Sequence, residues 1–264
     1  MDWFTALIIG TVQGLLEWLP LSSSGQITLI MVNFMGASAE EAISFGLAIH
    51  IGTACAVLAR YPRQLVSVLD LGKPSSKRKF FWIATILSLA CALPFLFILE
   101  ESFDSNLWTG VTITLFVGLG LIFTGIILRR RPGKSFRRIR EGKVADYLLV
   151  GLAQGFAVLP GISRSGMTLS ALLTRKFREV EALTFSFLLS FPVSLAAFAY
   201  FTVFGEMGTL SLALIALASF AAFVFGYLSM GLLLKFARSV NFSSFCIFFG
   251  ALAMCPAIIQ WLMG

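Results

Sequence analysis

The chain has 264 residues, of which 58% are hydrophobic and 12% charged, with a formal net charge of +7 and a mean hydropathy of +0.91. A soluble domain of this composition would leave too much apolar surface in water, so the chain reads as an integral membrane protein. The positive charge does not indicate nucleic acid, because the basic residues sit in blocks beside apolar segments, as cytoplasmic loops do under the positive-inside rule.

The first apolar stretch, 3–16, follows Asp2 and no basic segment, so it reads as retained structure rather than a cleaved signal. With 26–39 it is too short to span, and the two flank a polar phrase: Gly10-x-x-Gln13-Gly14, running to Pro20 and Ser22-Ser23-Ser24-Gly25. Uncharged stretches at 42–59, 80–99 and 107–128 follow. Each is long enough, at about 1.5 Å per residue, to cross a hydrocarbon core of about 30 Å. Arg129 to Lys143 then carries eight positive charges around the helix-breaking Pro132-Gly133. It reads as a solvated hinge in preference to an anionic-lipid contact.

After the hinge the pattern repeats. Short stretches at 147–159 and 165–174 flank Gly151-x-x-Gln154-Gly155, running to Pro160 and Ser163-Arg164-Ser165-Gly166, and spans follow at 182–205, 207–234 and 239–264. Gln to final Gly covers twelve positions in both copies, and Glu41-Ala42-x-x-Phe45 returns as Glu181-Ala182-x-x-Phe185. Duplication and fusion account for this. Basic clusters at Arg60 to Lys79, Arg129 to Lys143, Arg175 to Arg178, and Lys235 with Arg238 are assigned to the cytoplasm; Glu40-Glu41, Glu100-Glu101-Asp104 and Glu206 then lie outside. Six spans satisfy both sets only if the two phrases are re-entrant, the first from outside and the second from the cytoplasm. The expected fold is therefore an all-α integral membrane protein with six transmembrane helices and two re-entrant helical hairpins in an inverted repeat. Its halves are 1–130 and 145–264, joined by a basic linker at 131–144. Cys55, Cys91, Cys246 and Cys255, with no C-x-x-C spacing, read as small core hydrophobes.

Every Lys and Arg except Arg164 falls in one of the four clusters, and every acid except Glu17 lies in a loop or at a helix end. A charge at the bilayer centre costs about 2.5–3.5 kcal/mol, so Glu17 and Arg164 should each face a polar cavity and a partner. A salt bridge that only fixes the packing is the bland alternative. Against it stand the hydroxyls. Pro20 and Pro160 break helix, and the Ser-Gly pairs after them are N-cap chemistry. Two inward helix N-termini, with Ser22, Ser23, Ser24, Ser163 and Ser165 beside Arg164, suit phosphate or diphosphate. Unwound backbone at membrane depth must line a cavity or be buried in protein, which places both phrases at the repeat interface. Gln13 and Glu17, spaced i, i+4, share a helix face and suit a hard divalent cation, Mg²⁺ or Ca²⁺. Val158 stands where the second copy would carry the acid. His50, the sole histidine, is either a proton relay or a hydrogen-bonded interior residue. Gly10-x-x-x-Gly14 and Gly151-x-x-x-Gly155 are expected to let helices approach closely.

Gln13-x-x-x-Glu17-Trp18-Leu19-Pro20-x-Ser22-Ser23-Ser24-Gly25 and Pro160-Gly161-x-Ser163-Arg164-Ser165-Gly166-x-Thr168 resemble the paired signatures of the undecaprenyl-diphosphate phosphatase family, the bacitracin-resistance type. The resemblance covers nearly the whole chain. It implies a plasma-membrane enzyme that releases phosphate from a long polyprenyl diphosphate, of undecaprenyl or dolichyl type, from a site opening to the extracytoplasmic side. By position it implies Glu17 as the essential acid, Ser23 acting near the scissile phosphate, and Arg164 as the phosphate clamp. Ser22, Ser24, Gln26, Ser163, Ser165, Gly166 and Thr168 would then be the phosphate-binding set. One departure stands out. Gln26 occupies the position after Ser-Ser-Ser-Gly where bacterial members usually have histidine, so a histidine nucleophile is excluded there. That points to a mechanism that never needed it or to an archaeal-like branch. Serine and water both stay open as nucleophile, and monomer and homodimer as oligomeric states. The rival reading is a polyprenyl-phosphate flippase, since broken helices in inverted repeats also serve alternating access.

Overall fold

The computed structural model describes residues 1–70, 72, 75–103, 109–129, 136–204, 211–236 and 242–263. The hinge dipeptide Pro132-Gly133, Asp104, Glu206 and Arg238 lie outside them. Eleven helices make up the described chain: α1 (Trp3–Leu16), α2 (Ser23–Met35), α3 (Ala39–Arg60), α4 (Pro62–Leu69), α5 (Ser76–Phe103), α6 (Gly110–Arg129), α7 (Val144–Phe156), α8 (Arg164–Thr174), α9 (Glu179–Phe204), α10 (Leu212–Phe236) and α11 (Phe242–Met263). A 3₁₀ turn, Ile139–Glu141, precedes α7. The protein is all-α, and no strand occurs among the described residues.

Five helices are long and apolar enough to cross a membrane: α3, α5, α6, α9 and α10. The expected sixth span, 239–264, corresponds to α11, whose apolar portion Ser243–Ile259 is shorter. Helix α2 ends earlier than the expected 26–39, and local chemistry explains it. Gly36 terminates α2 in the left-handed region at φ 65°. Ser38 and Glu41 then form a reciprocal capping box that starts α3 at Ala39. A run of apolar residues thus hides a boundary that only the caps reveal. Helix α4, begun by Pro62 at its first turn, lies in what reads from sequence as a basic loop.

Glycine decides how the short helices seat. A β-carbon at Gly14 would lie 2.7 Å from Ala222 O of α10, and one at Gly151 would lie 2.9 Å from Ala84 O of α5. In neither case can backbone give way, so α1 rests on α10 and α7 on α5 at backbone distance. Gly10 meets Ala218 and Gly14 meets Ala222, so α1 and α10 run the same way; Gly151 meets Ala84 and Gly155 meets Ser88 and Cys91, so α7 and α5 do too. The two short helices therefore exchange places along the chain, α1 docking on a long helix near the C-terminal end and α7 on one nearer the N-terminal end. Between them an aromatic core gathers Trp18, Phe80, Phe81, Tyr147, Phe177, Phe185 and Phe187. The cysteines are less uniformly interior than expected. Cys246 is buried and Cys91 half-buried, but Cys55 and Cys255 are exposed on their helices, and all four are free thiols.

A further buried charge, Asp146, escapes the sequence reading because it sits at a helix start. Asp146, fully buried, accepts from Arg137 Nη2 at 2.6 Å, from Lys143 N at 2.8 Å and from Arg175 Nε. Burial alone would raise its carboxyl, but Arg137, the Lys143 N–H and Arg175 outweigh it and lower the value from 3.8 to about 2. This clamp ties the strap at 136–143 to the start of α7 and the end of α8. A carboxyl lowered on folding stabilises above its ordinary range and loses that contribution as pH falls toward its folded value. Asp146→Asn is expected to cost about 2 kcal/mol near neutral pH. The gap to wild type should close between about pH 4 and pH 2 in thermal melts, and a gap independent of pH would refute the ionic account.

Candidate active site

Two breaks in the helices meet at the centre of the molecule. The first, 17–22, leaves α1 at Glu17, passes Pro20, and holds Ser22 in the left-handed region at φ 53°, where its Oγ caps α2 by accepting from Gly25 N. The second runs through Pro160 and Gly161, the latter at φ 92°, to Ser163, whose Oγ caps α8 by accepting from Gly166 N at 3.2 Å. The breaks are pinned to one another. Gly161 N donates to Ser22 Oγ at 3.0 Å, while Ser165 Oγ at 2.8 Å and Ser163 Oγ at 3.4 Å donate to Leu19 O.

Across this junction Arg164 Nη2 donates to Glu17 Oε1 at 2.5 Å. The other carboxylate oxygen, Oε2, accepts from Ser23 Oγ at 2.6 Å and Gln13 Nε2 at 2.9 Å, with His50 Nε2 at 3.7 Å. His50 is oriented by its other ring nitrogen, 2.5 Å from Gly46 O. Arg164 also reaches Ser186 O at 3.4 Å and lies 5.9 Å over the Trp18 ring, whose indole N–H is held by Gly226 O. The two charges singled out from sequence therefore form one buried cluster with a hydroxyl and an imidazole. Removing one member of such a pair strands the other at a cost of about 3–5 kcal/mol.

The cluster opens into a cavity lined by Glu17, Ser22, Ser23, Ser24, His50, Ser163 and Arg164. Away from these polar residues the walls are apolar, from Ala42, Ile43 and Leu47 of α3, Leu89, Ala92, Leu96 and Leu99 of α5, and Val193 and Ala197 of α9. Phosphate chemistry at one end and aliphatic walls at the other match an amphiphile with an anionic head. Gln26, Ser165, Gly166 and Thr168 do not line this cavity. Gln26 Nε2 turns to Leu21 O at 3.4 Å; Ser165 ties down Leu19 O; Gly166 packs under Thr124 and Pro20; Thr168 Oγ1 donates to Arg164 O and Gln154 Oε1. These four support the frame around the cavity. Three hydroxyl residues with no part in the sequence motifs, Thr28, Ser88 and Ser194, do line it, and Ser88 Oγ accepts from Gln154 Nε2 at 3.1 Å. Ser88 and Gln154 are 66 positions apart, and no local pattern joins them.

Gln13 and Glu17 bear on the expected divalent cation. With its amide nitrogen donating to Glu17, Gln13 Oε1 is left buried without a hydrogen-bond partner. No group of three or more His, Cys, Asp or Glu is gathered among the described residues, so the chain builds no cage of its own. Gln13 does not itself line the cavity and turns its amide nitrogen to Glu17, so one carboxylate and this orphaned amide oxygen fit a cation completed by water and a substrate phosphate only with the amide turned over.

Comparison with known proteins agrees with this chemistry. The protein from Methanococcoides burtonii named undecaprenyl-diphosphatase is 40% identical over 262 residues, covering 94% of this chain and 96% of that one. Proteins of the same name from Methanothrix thermoacetophila, 36% identical over 96% of both chains, and Desulforudis audaxviator, 30% identical over the full length of both, extend the likeness. A family model described as bacitracin resistance protein BacA matches residues 6–255, and the chain belongs to that family.

Proposed function

We propose that this multi-pass membrane protein is a phosphatase that cleaves the phosphoanhydride of a long-chain polyprenyl diphosphate, giving inorganic phosphate and the monophosphate lipid. The observation that carries this reading is the joint placement of Arg164, Glu17 and Ser23 in one cavity with aliphatic walls. In the resting site Arg164 and Glu17 neutralise each other. A terminal phosphate entering beside Ser24 and Ser163 competes for the guanidinium, which is suited to phosphate by its fork of donors. Glu17, released from Arg164, accepts the proton of the nucleophile. With Ser23 Oγ already donating to Oε2, the geometry favours serine: Oγ bonds to the terminal phosphorus, its proton passes to Glu17, and the bond to the bridging oxygen breaks. The polyprenyl monophosphate departs, and water then hydrolyses the phosphoserine. His50 stands beside Glu17 to relay the proton outward. Phosphoryl transfer asks mainly for positioning and charge neutralisation, and this cluster supplies both. A Mg²⁺ or Ca²⁺ held by Glu17 and Gln13 Oε1 would add further neutralisation of the diphosphate oxygens.

The same reading extends to topology. Helix directions support two hairpins entering in opposite senses, because α1 runs with α10 and α7 with α5. The apolar walls run from the cluster toward Ala42 and Leu99, at the ends of α3 and α5 remote from Arg60 and Lys77. By the positive-inside rule that end is extracytoplasmic, in a plasma membrane.

Purified protein is expected to release phosphate from undecaprenyl and dolichyl diphosphates, to stop on chelation and to resume with Mg²⁺ or Ca²⁺. Movement of polyprenyl phosphate across liposomes without any phosphate release would favour transport instead.

A further inference from the structure

At the other end of α5 and α9 lies a second concavity of about 360 Å³, lined by Lys77, Arg138, Ile139, Arg140, Val180, Glu181, Thr184, Phe185 and Leu188. That size falls in the range of small-molecule sites, about 300–1,000 Å³. It shares no residue with the catalytic cavity, which uses α5 from Ser88 onward and α9 from Val193 onward. Its floor, Phe185 and Leu188, belongs to the candidate span Glu179–Phe204, and Lys77 is the second residue of the span Ser76–Leu99. The crevice therefore sits where hydrocarbon gives way to water.

Its charge is unbalanced. Three cations face one carboxylate; Glu181 accepts from the Ile139 N–H at 2.8 Å and attracts Lys77, which leaves Arg138 and Arg140 in excess. None of the Lys77, Arg138 and Arg140 side chains makes a hydrogen bond or an ion pair within 4 Å among the described residues, whereas Arg137, the neighbour between the crevice and the frame, is fully engaged by Asp146, Arg175 O and Glu141 O. The strap that presents Arg138 and Arg140 is held by that clamp and by Arg178 N donating to Arg137 O at 2.9 Å. A solvated loop needs no such mounting. We propose that this crevice is a headgroup site for an anionic phospholipid, with the phosphodiester between Lys77, Arg138 and Arg140 and the acyl chains leaving over Val180, which is 53% exposed, while the buried Phe185 and Leu188 close the crevice from beneath. Charge complementarity names the head, and the apolar floor at the end of two spans favours a lipid over a free anion. Because the strap is bolted to the start of α7 and the end of α8, the bound lipid braces the hairpin that carries Arg164.

The test uses full-length protein in nanodiscs of phosphatidylcholine doped with phosphatidylglycerol, followed by extraction and quantification of the co-purified lipid. Wild type is expected to retain phosphatidylglycerol over phosphatidylcholine, and Arg138→Ser with Arg140→Ser to lower that preference by about fivefold or more per charge removed. Phosphate release from a short-chain diphosphate in detergent should be unchanged. Lys79→Ser with Lys143→Ser, exposed cations outside the crevice, serves as the control. Equal loss in the control pair would show a diffuse surface field and overturn the site. So would inorganic phosphate that displaces the lipid at millimolar concentration, because the occupant would then be a soluble anion.

Discussion

Arg164→Ala should lower phosphate release by about 10³-fold, and Arg164→Lys by about 10²-fold, measured on protein that is still folded at the assay temperature. The guanidinium has two tasks that a smaller group cannot share. It neutralises the buried Glu17 carboxylate at 2.5 Å, and it offers a planar fork to the incoming phosphate. Removing one fixed donor from a transition-state oxyanion site costs about 10²–10³ in turnover, and losing a full charge at low dielectric belongs at the upper end. Lysine keeps the charge but loses the fork and the position over Trp18, so part of the loss returns. Alanine also strands Glu17, and the resulting instability is a competing explanation. Glu17→Gln combined with Arg164→Ala removes both charges and separates the two. If the double variant is stable and still inactive, the loss is chemical. A stable Arg164→Ala protein that turns over within tenfold of wild type is incompatible with the clamp.

Glu17→Gln and Ser23→Ala should each lower turnover by about 10²–10⁴-fold, the usual contribution of a positioned base and its nucleophile. The two differ in what they leave behind. Glutamine at position 17 preserves volume and can still accept from Ser23, but it cannot take up a proton, so KM should move little while kcat falls. Alanine at position 23 removes the hydroxyl that donates to Oε2 at 2.6 Å and leaves a gap large enough for a water. Rapid quench of wild type should therefore give a phosphorylated peptide containing Ser23, absent from Ser23→Ala. Full activity in Ser23→Ala with no trapped phosphoserine would assign the attack to water, with Glu17 as its base.

Much of this site is legible in the sequence because the membrane makes charge expensive. Nearly every basic residue has a topological reason to be where it is, and Arg164 alone lacks one; Glu17 is its counterpart among the acids. The duplicated phrase then says that the two belong together, and the geometry joins them. Which neighbouring hydroxyls face the cavity is not legible. Ser163 and Ser165 both sit at the start of α8 and both hydroxyls reach Leu19 O, at 3.4 and 2.8 Å, yet only Ser163 lines the cavity, a difference that two positions of helix rotation make and the sequence does not show. Thr168 is turned inward on its own helix in the same way. Spans are legible as long apolar runs, whereas α4 and the clamped strap at 136–143 are not. Short segments dense in charge read as loops, and their order comes from partners far along the chain, as when Phe136 and Arg137 donate to Lys176 O. Asp146 was passed over for a related reason: at a helix start an acid needs no special explanation until Arg137 and Arg175 close around it.

The most direct test of the central claim is a double-mutant cycle on phosphate release, with Glu17→Gln and Arg164→Ala measured singly and together against one polyprenyl diphosphate. Groups that act on the same phosphate as a unit give strongly non-additive losses, so the double variant should be no more than about tenfold worse than the poorer single one. Losses that multiply in full, or a single variant with wild-type turnover, would mean that the two residues do not serve one diphosphate together.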